Sequence, residues 1–329
     1  MTRLLNKELV EQIYTPEIAI QGCFKAFSII SHKKFTAPVR TNLNTGPQEL
    51  LLMPCAVHEE DRTDLAIKIL SVCPGNRAKG LNTIPGKCLV YDNETGALNA
   101  IMDGFMVTFK RTGATAGATS QLLHPAPATN VVIFGCGAQG CAGIESIIQA
   151  HPEVKNITAF DYNNTSAVGY CKRHADKDGT RNYIVGEDIE KAVREADIIH
   201  CATTSKTPLF KAEWVKEGAH ISAIGAYKLD MRELPNEIFG RVNVRIFIDE
   251  FEAMREEAGD VMDAIRSGFI TEDKIYEFGA VVNKEIEGRQ NEKQITIAKF
   301  VGHAAQDTVA SQIIYDIAKE KNLGVVVDF

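Results

Sequence analysis

The sequence predicts an α/β protein in two parts: a doubly wound parallel sheet in the middle of the chain and a discontinuous α+β domain assembled from its two ends. Three observations carry this. Strand-like and helix-like segments alternate from residue 130 to 249, the pattern of βαβ units whose helices cover both faces of a parallel sheet. The first hundred residues instead run mostly through short strands after a single helix. The chain also ends on an apolar strand, GVVVDF, which needs a sheet to join, and the strand-rich N-terminal part is the natural host. The expected division is residues 1–124 with 303–329 as one domain and 125–302 as the other.

In order along the chain, residues 16–33 read as an amphipathic helix, with Thr15 as N-cap, Pro16 near the first helical position and apolar residues at helical spacing. Val39 to Leu43, Glu49 to Met53 and Leu65 to Cys73 read as strands bounded by Pro, Gly or charged residues. In KCLVYDNETGALNAIMDG, Asp92 to Gly96 form the turn of a hairpin. Phe105 to Leu123 is a helix rich in small residues, suited to close backbone packing, and His124-Pro125-Ala126-Pro127 breaks it. Beyond the alternating region, two helices are expected near 250–267 and 271–287. They precede the strand QITIAKF, the helix GHAAQDTVASQIIYDIAKEKN and the final strand.

The alternating region opens with the most informative stretch. The apolar run Val131 to Phe134 has the length of a strand buried on both faces, and Gly135, Gly137 and Gly140 follow it at G-x-G-x-x-G spacing before a helix. The first glycine permits the tight turn, the second lets backbone approach a pyrophosphate, and the third lets helix pack on strand. The helix N-terminus then presents amides to the phosphates. Asp161 ends the next strand, 21 residues beyond Gly140, where a carboxylate accepts hydrogen bonds from a ribose. Strand before, helix after and acid at the next strand end together mark a Rossmann-type dinucleotide site. A carboxylate repels a 2′-phosphate and no arginine follows in Tyr162-Asn163-Asn164, so NAD is favoured over NADP.

Bulk properties narrow the function classes. The chain has 329 residues, 45% hydrophobic and 24% charged, with 36 Lys and Arg against 43 Asp and Glu and a formal charge of −7. That is ordinary globular composition without a basic block, so no nucleic-acid or anionic-membrane partner is expected. No apolar run approaches a membrane span and the N-terminus lacks the apolar core of a signal peptide, so a cytoplasmic location is expected. The eight cysteines form no C-x-x-C pair and are read as small reduced core residues, not as metal ligands or disulfides.

Three cations are candidates for binding a small carboxylate. Strand alternation turns Lys68 away from Ile67 and Ile69. That is compatible with an exposed strand lysine and also with a lysine facing a cleft, its pKa lowered for proton transfer. Arg111, beside Lys110 on the small-residue helix, and Arg40, in Pro38-Val39-Arg40, are each either surface residues or anion clamps.

At these residues the chain resembles the ornithine cyclodeaminase and mu-crystallin family. The resemblance runs through PVRTNL, LLMP, AIKIL, PGNRAKGLNTIPG, AIMDG, FKRTGATAGATS, the glycine fingerprint, AIGAYKLDMREL, DEFEAMREEAGDV and VGHAAQD. It implies a homodimer whose N-terminal substrate domain is completed by the C-terminus, around a nicotinamide-binding domain. It places Arg40, Lys68 and Arg111 around a substrate carboxylate, with Met53 lining the pocket and Lys68 transferring the proton. Thr83, Arg111, Gly137, Ala138, Gln139, Asp161, Thr203, Ile224 and Gly225 are placed against the cofactor.

One departure bears on the reaction. Cyclodeaminases and several dehydrogenase members show an acid and a proline just after the Gly of the segment matching AIGA, typically G-x-D-x-P-G-K, whereas here Gly225 is followed by Ala226-Tyr227-Lys228-Leu229-Asp230-Met231. Tyr227 thus takes the acid's place at the substrate and Met231 the lysine's, while Asp230 lies three positions from the acid's place. Phe300 stands where members often carry serine beside the nicotinamide. The implied activity is an NAD(P)-dependent oxidoreductase interconverting a small α-amino acid and its imino or keto acid. The alternatives are an ornithine or lysine cyclodeaminase that releases ammonia with catalytic NAD, and a non-catalytic protein that binds NAD(P)H and a small ligand.

Overall fold

The computed structural model describes all residues except Val39, Arg40, Pro125 and Phe329, and the side chain of Arg77. The chain begins with β1 (Thr2–Leu5), α1 (Lys7–Ile13), α2 (Pro16–Ser31), β2 (Phe35–Thr36), β3 (Thr41–Asn44), β4 (Glu49–His58), β5 (Thr63–Val72), β6 (Gly86–Tyr91), β7 (Leu98–Asp103) and α3 (Gly104–Leu123). It continues with β8 (Asn130–Phe134), α4 (Ala138–Ala150), β9 (Asn156–Phe160), α5 (Asn164–Asp178), β10 (Asn182–Val185), α6 (Ile189–Glu195), β11 (Ile198–Cys201), β12 (His220–Ala223), α7 (Asn236–Phe239) and β13 (Val244–Ile248). The remainder is α8 (Phe251–Glu257), α9 (Gly259–Arg266), β14 (Ile275–Glu277), α10 (Phe278–Val282), β15 (Ile295–Lys299), α11 (Ala304–Glu320) and β16 (Val325–Val327).

Two compact units result, Met1–Arg111 with His303–Phe329, and Thr112–Gly302. The first division falls inside α3 and not at the His124–Pro127 break, because the N-terminal half of that helix continues directly from β7. In the first unit the sheet order is β16-β1-β7-β6-β5-β4-β2, with β3 also on β4. The terminal strand does join this sheet, antiparallel to β1. The hairpin turn forms as the sequence indicates, with Asp92 and Ala97 closing it and Gly96 at φ +70°. Helix α2 starts at Thr15, whose hydroxyl accepts from Ile18 N, and buries Ile20, Cys23, Phe27 and Ile30 along one stripe. Helix α11 packs on α2 and across β4 and β5.

The second unit carries an all-parallel sheet, β10-β9-β8-β11-β12-β15-β13-β14. The chain moves from β8 outward through β9 and β10, then returns to lay β11 on the other side of β8. This reversal opens a crevice at the carboxyl ends of β8 and β11. The small residues of α3 serve the close packing expected of them: a Cβ added at Gly113 would lie 2.5 Å from Ala142 backbone, and one at Gly117 2.5 Å from Ser146 O.

Four readings differ from the structure. Strand β1 and helix α1, which precede the first helix expected, are short and depend on pairing with β7 and β16 and on the Asn6 cap. The helix expected near 250–267 is broken at Ala258, where φ −85° and ψ 80° leave the helical region. The helix expected near 271–287 is largely a strand and turns: Ile275–Glu277 pairs with β13, and only Phe278–Val282 is α-helical. In the strand expected at Val39 to Leu43, Val39 and Arg40 lie outside the described residues and the strand runs Thr41–Asn44. All eight cysteines are free, and six are buried. No helix among the described residues is long and apolar enough to cross a membrane.

Candidate active site

In the first unit, alternation along β5 buries Asp64, Ala66, Lys68 and Leu70 on one face. Lys68 is therefore not an exposed strand lysine; it is 3% exposed. Its Nζ lies 2.5 Å from Asp307 Oδ2. Asp307 sits in the first turn of α11 and also accepts from Arg111 Nε at 2.9 Å. Gln306 Oε1 accepts from Arg111 Nη1 at 3.2 Å and from His303 N at 3.0 Å, completing a capping box in which His303 Nδ1 accepts from Ala305 N. Met53 is the cross-strand neighbour of Lys68 and is buried.

With Lys68 protonated, two cations and one carboxylate give this cluster a net charge of +1 in a place withdrawn from water, an arrangement that favours an added anion. Burial pushes the Lys68 pKa down, and the Arg111 charge pushes it further, against the pull of Asp307. Burial acts to raise the Asp307 carboxyl, but Arg111 and Lys68 outweigh it and hold it below the usual carboxylate value. Asp307 is the residue that sequence reasoning missed. Its signal was the charge balance itself, since a group of cations in one buried place needs a counter-charge.

In the second unit the glycine loop has the shape its spacing predicts. Gly135 adopts φ +95°, and a Cβ there would lie 2.5 Å from Ala202 O. A Cβ at Gly140 would lie 1.9 Å from Gly135 O, so only glycine lets α4 approach the strand. Gly137 is the N-cap of α4, without a side-chain cap, and a Cβ there would meet open space. Ala138 is exposed beside it, and Gln139 Oε1 is buried with no hydrogen-bond partner among the described residues. Asp161 at the end of β9 accepts from Cys136 N at 2.8 Å and Asn163 N at 2.9 Å, which fixes the carboxylate beside the loop. A dinucleotide fits this set: open space and uncapped amides for a pyrophosphate, and an anchored acid for a ribose.

Thr203, after β11, and Ile224 and Gly225, after β12, lie at the carboxyl ends of neighbouring strands. Tyr227 is half-buried with Lys228 Nζ over its ring, and Phe300 is buried against Phe278. Thr83, in the first unit, is half-buried on the loop before β6, where its carbonyl accepts from Cys73 N. Arg40 lies outside the described residues.

The family model for the ornithine cyclodeaminase/mu-crystallin family matches residues 3–322. The chain is 30% identical to a Delta(1)-pyrroline-2-carboxylate reductase of Bacillus cereus, over 92% of this chain and 94% of that one. Among solved structures, the Thermococcus litoralis Delta(1)-pyrroline-2-carboxylate reductase in complex with NADH and L-proline matches with a TM-score of 0.90 at 29% identity, covering 99% of this chain and 100% of that one. An archaeal alanine dehydrogenase dimer with bound NAD matches with a TM-score of 0.88 at 29% identity, covering 100% and 99%. The chain belongs to the ornithine cyclodeaminase/mu-crystallin family.

Proposed function

We propose that this member of the ornithine cyclodeaminase/mu-crystallin family is an NAD-dependent oxidoreductase that interconverts a small α-amino acid and its imino or keto acid. The observation that carries the reading is the buried Lys68–Asp307–Arg111 cluster with its surplus positive charge, in a chain that also has a complete dinucleotide loop. Relatives named as a pyrroline-2-carboxylate reductase with NADH and L-proline and as an alanine dehydrogenase with NAD support it.

When bound, the nicotinamide supplies or accepts a hydride at the substrate's α-carbon. The chain's residues do the rest. Arg111 binds the substrate carboxylate through the guanidinium edge that Asp307 and Gln306 leave over, and their hydrogen bonds to Nε and Nη1 fix the fork's direction. Arg40 is proposed as a second carboxylate ligand on the resemblance alone, and Met53 and Tyr227 as pocket walls. Lys68 gives a proton to the substrate's nitrogen or oxygen in reduction and takes it back in oxidation; its lowered pKa suits transfer in both directions. Asp161 favours NAD over the phosphorylated cofactor. Tyr227 and Met231, where an acid and a lysine are common, speak against amine activation of the cyclodeaminase kind. We further propose a homodimer in the cytoplasm; the free, mostly buried cysteines fit a reducing compartment.

The test is a panel of α-keto acids with ammonia or amines, and of cyclic imines, scored by NADH and NADPH oxidation. Turnover on one class assigns the substrate. Ammonia release from ornithine or lysine without net NADH change would replace the proposal with cyclodeamination. Ligand-dependent thermal shifts with no turnover anywhere would replace it with a binding role.

A further inference from the structure

The acid Glu233, in the loop before α7, has a use that its sequence context, RELP, does not announce. It is fully buried, and its two carboxylate oxygens gather the backbone of two separate loops. Oε1 accepts from Thr203 N at 2.6 Å and Thr203 Oγ1 at 2.9 Å; Oε2 accepts from Gly225 N at 2.8 Å and Ala226 N at 3.0 Å. Thr203 follows β11 and Gly225 follows β12, and these strands are neighbours in the parallel sheet. A Cβ at Gly225 would lie 2.2 Å from Thr203 N and O, so the loops are drawn together to a spacing that admits no side chain.

The acid is itself held. Asp260 Oδ1 accepts from Glu233 N at 2.6 Å and Leu234 N at 2.9 Å, and Asp260 Oδ2 lies 3.2 Å from Lys299 Nζ. Lys299 is fully buried at the end of β15 and donates to Ala226 O. Glu233, Asp260 and Lys299 thus lie together under the loops, with the lysine paired to Asp260 and offsetting part of the charge of two carboxylates. Buried ionic groups of this kind fix geometry more than they add stability.

In a doubly wound sheet the strands on one side of the switch point serve the adenosine half of a dinucleotide and those on the other side the second half. Here β8 and β9 carry the glycine loop and Asp161, and β11 and β12 carry the loops that Glu233 ties. We propose that Glu233 is a positioning residue for the nicotinamide half of the cofactor, holding the loops after β11 and β12 as one rigid platform. This rests on the cofactor reading proposed above. It assigns the two halves of the site to different anchors, Asp161 with the glycine loop on one side and Glu233 on the other.

Glu233→Gln keeps size and shape but turns an amide NH2 toward donors that need an acceptor. Thr203→Val removes the hydroxyl's hydrogen bond to Glu233 together with the one it accepts from Ser205 N. Kd for NADH is measured by fluorescence and Kd for ADP, which carries only the adenosine and pyrophosphate, by calorimetry, with melting temperatures alongside. The expected result is a loss of NADH affinity of about tenfold for Glu233→Gln and a few-fold for Thr203→Val, with ADP affinity within about twofold of wild type in both. Parallel loss of NADH and ADP binding, or unchanged NADH binding in folded Glu233→Gln, overturns the proposal. If Glu233→Gln does not fold, Glu233→Asp, which keeps the charge but shortens the reach to the two loops, decides on the same two affinities. Wild-type protein that binds neither ligand would instead remove the cofactor reading on which this rests.

Discussion

Asp307 Oδ2 lies 2.5 Å from Lys68 Nζ with both side chains almost wholly withdrawn from water, although 239 residues of chain separate them. The same carboxylate holds Arg111, so one acid sets the position of both cations. Removing it and removing the lysine are therefore expected to have different signatures.

Lys68→Met leaves Asp307 paired with Arg111 and fills the site with an apolar side chain of similar length. The fold and NADH binding are expected to persist while kcat falls by about 10²–10⁴-fold, the range for a lost proton-transfer group. Asp307→Asn instead strands two buried cations, and a loss of stability of about 3–5 kcal/mol is expected. Denaturant unfolding with steady-state kinetics separates the two. A folded Lys68→Met enzyme of normal kcat would remove Lys68 from the chemistry.

The glycine loop offers a sharper contrast because two glycines a turn apart are needed for different reasons. Gly140→Ala forces a Cβ to 1.9 Å from Gly135 O, so a lower melting temperature is expected. Gly137→Ala places its methyl in open space at an ordinary φ of −80°, so the melting temperature without ligand is expected to hold. The methyl would occupy the approach of a pyrophosphate, and NADH affinity is expected to fall by about tenfold or more. Calorimetry of both variants checks this, and undiminished NADH binding by Gly137→Ala would place the phosphates elsewhere.

Three buried histidines in the second unit, His124, His200 and His220, make stability depend on pH. Burial pushes both His124 and His200 down to about 4, with Arg289 and His151 adding to the effect at His124. All three are neutral in the fold near neutrality, whereas in the unfolded chain they protonate near the ordinary value of 6.5. Below that value the unfolded state binds protons that the folded state does not, so stability is complete above about pH 6.5 and declines toward about pH 4. For fully buried His200 the decline amounts to about 2–3 kcal/mol. His200→Leu is expected to flatten the melting curve against pH over that window and to be more stable than wild type at pH 5. An unchanged pH slope would show that other groups carry the acid limb.

How much of this was legible in the sequence depends on how local each signal is. Strand, glycines, helix and Asp161 lie within one continuous stretch, and the loop has the conformation its spacing dictates. Lys68 was legible as a residue on the other face from Ile67 and Ile69, but alternation does not say which face is buried; α11, contributed from the far end of the chain, decides it. Asp307 and Glu233 were not legible as partners because their contacts are made by tertiary structure, in one case with distant cations and in the other with backbone amides. Strand β14 was read as helix for the same reason: three residues, Ile275 to Glu277, carry no periodicity, and only pairing with β13 makes them a strand.

Asp161 gives the last prediction, on cofactor choice. Its Oδ2 accepts from Cys136 N and its Oδ1 from Asn163 N, so the carboxylate is held by the loop and not free to swing aside. A fixed negative charge accepts hydrogen bonds from ribose hydroxyls and repels a 2′-phosphate, and it costs NADP more than it gains NAD. Asp161→Ser removes the charge but keeps an oxygen able to meet one hydroxyl. The ratio of kcat/KM for NADH over NADPH is expected to fall by about tenfold, mainly through a lower KM for NADPH. Because Cys136 N also loses its acceptor, the NADH constant should worsen modestly as well. A ratio that does not move would mean that the adenosine ribose is not read by this acid, and the preference for NAD would have to rest on other residues.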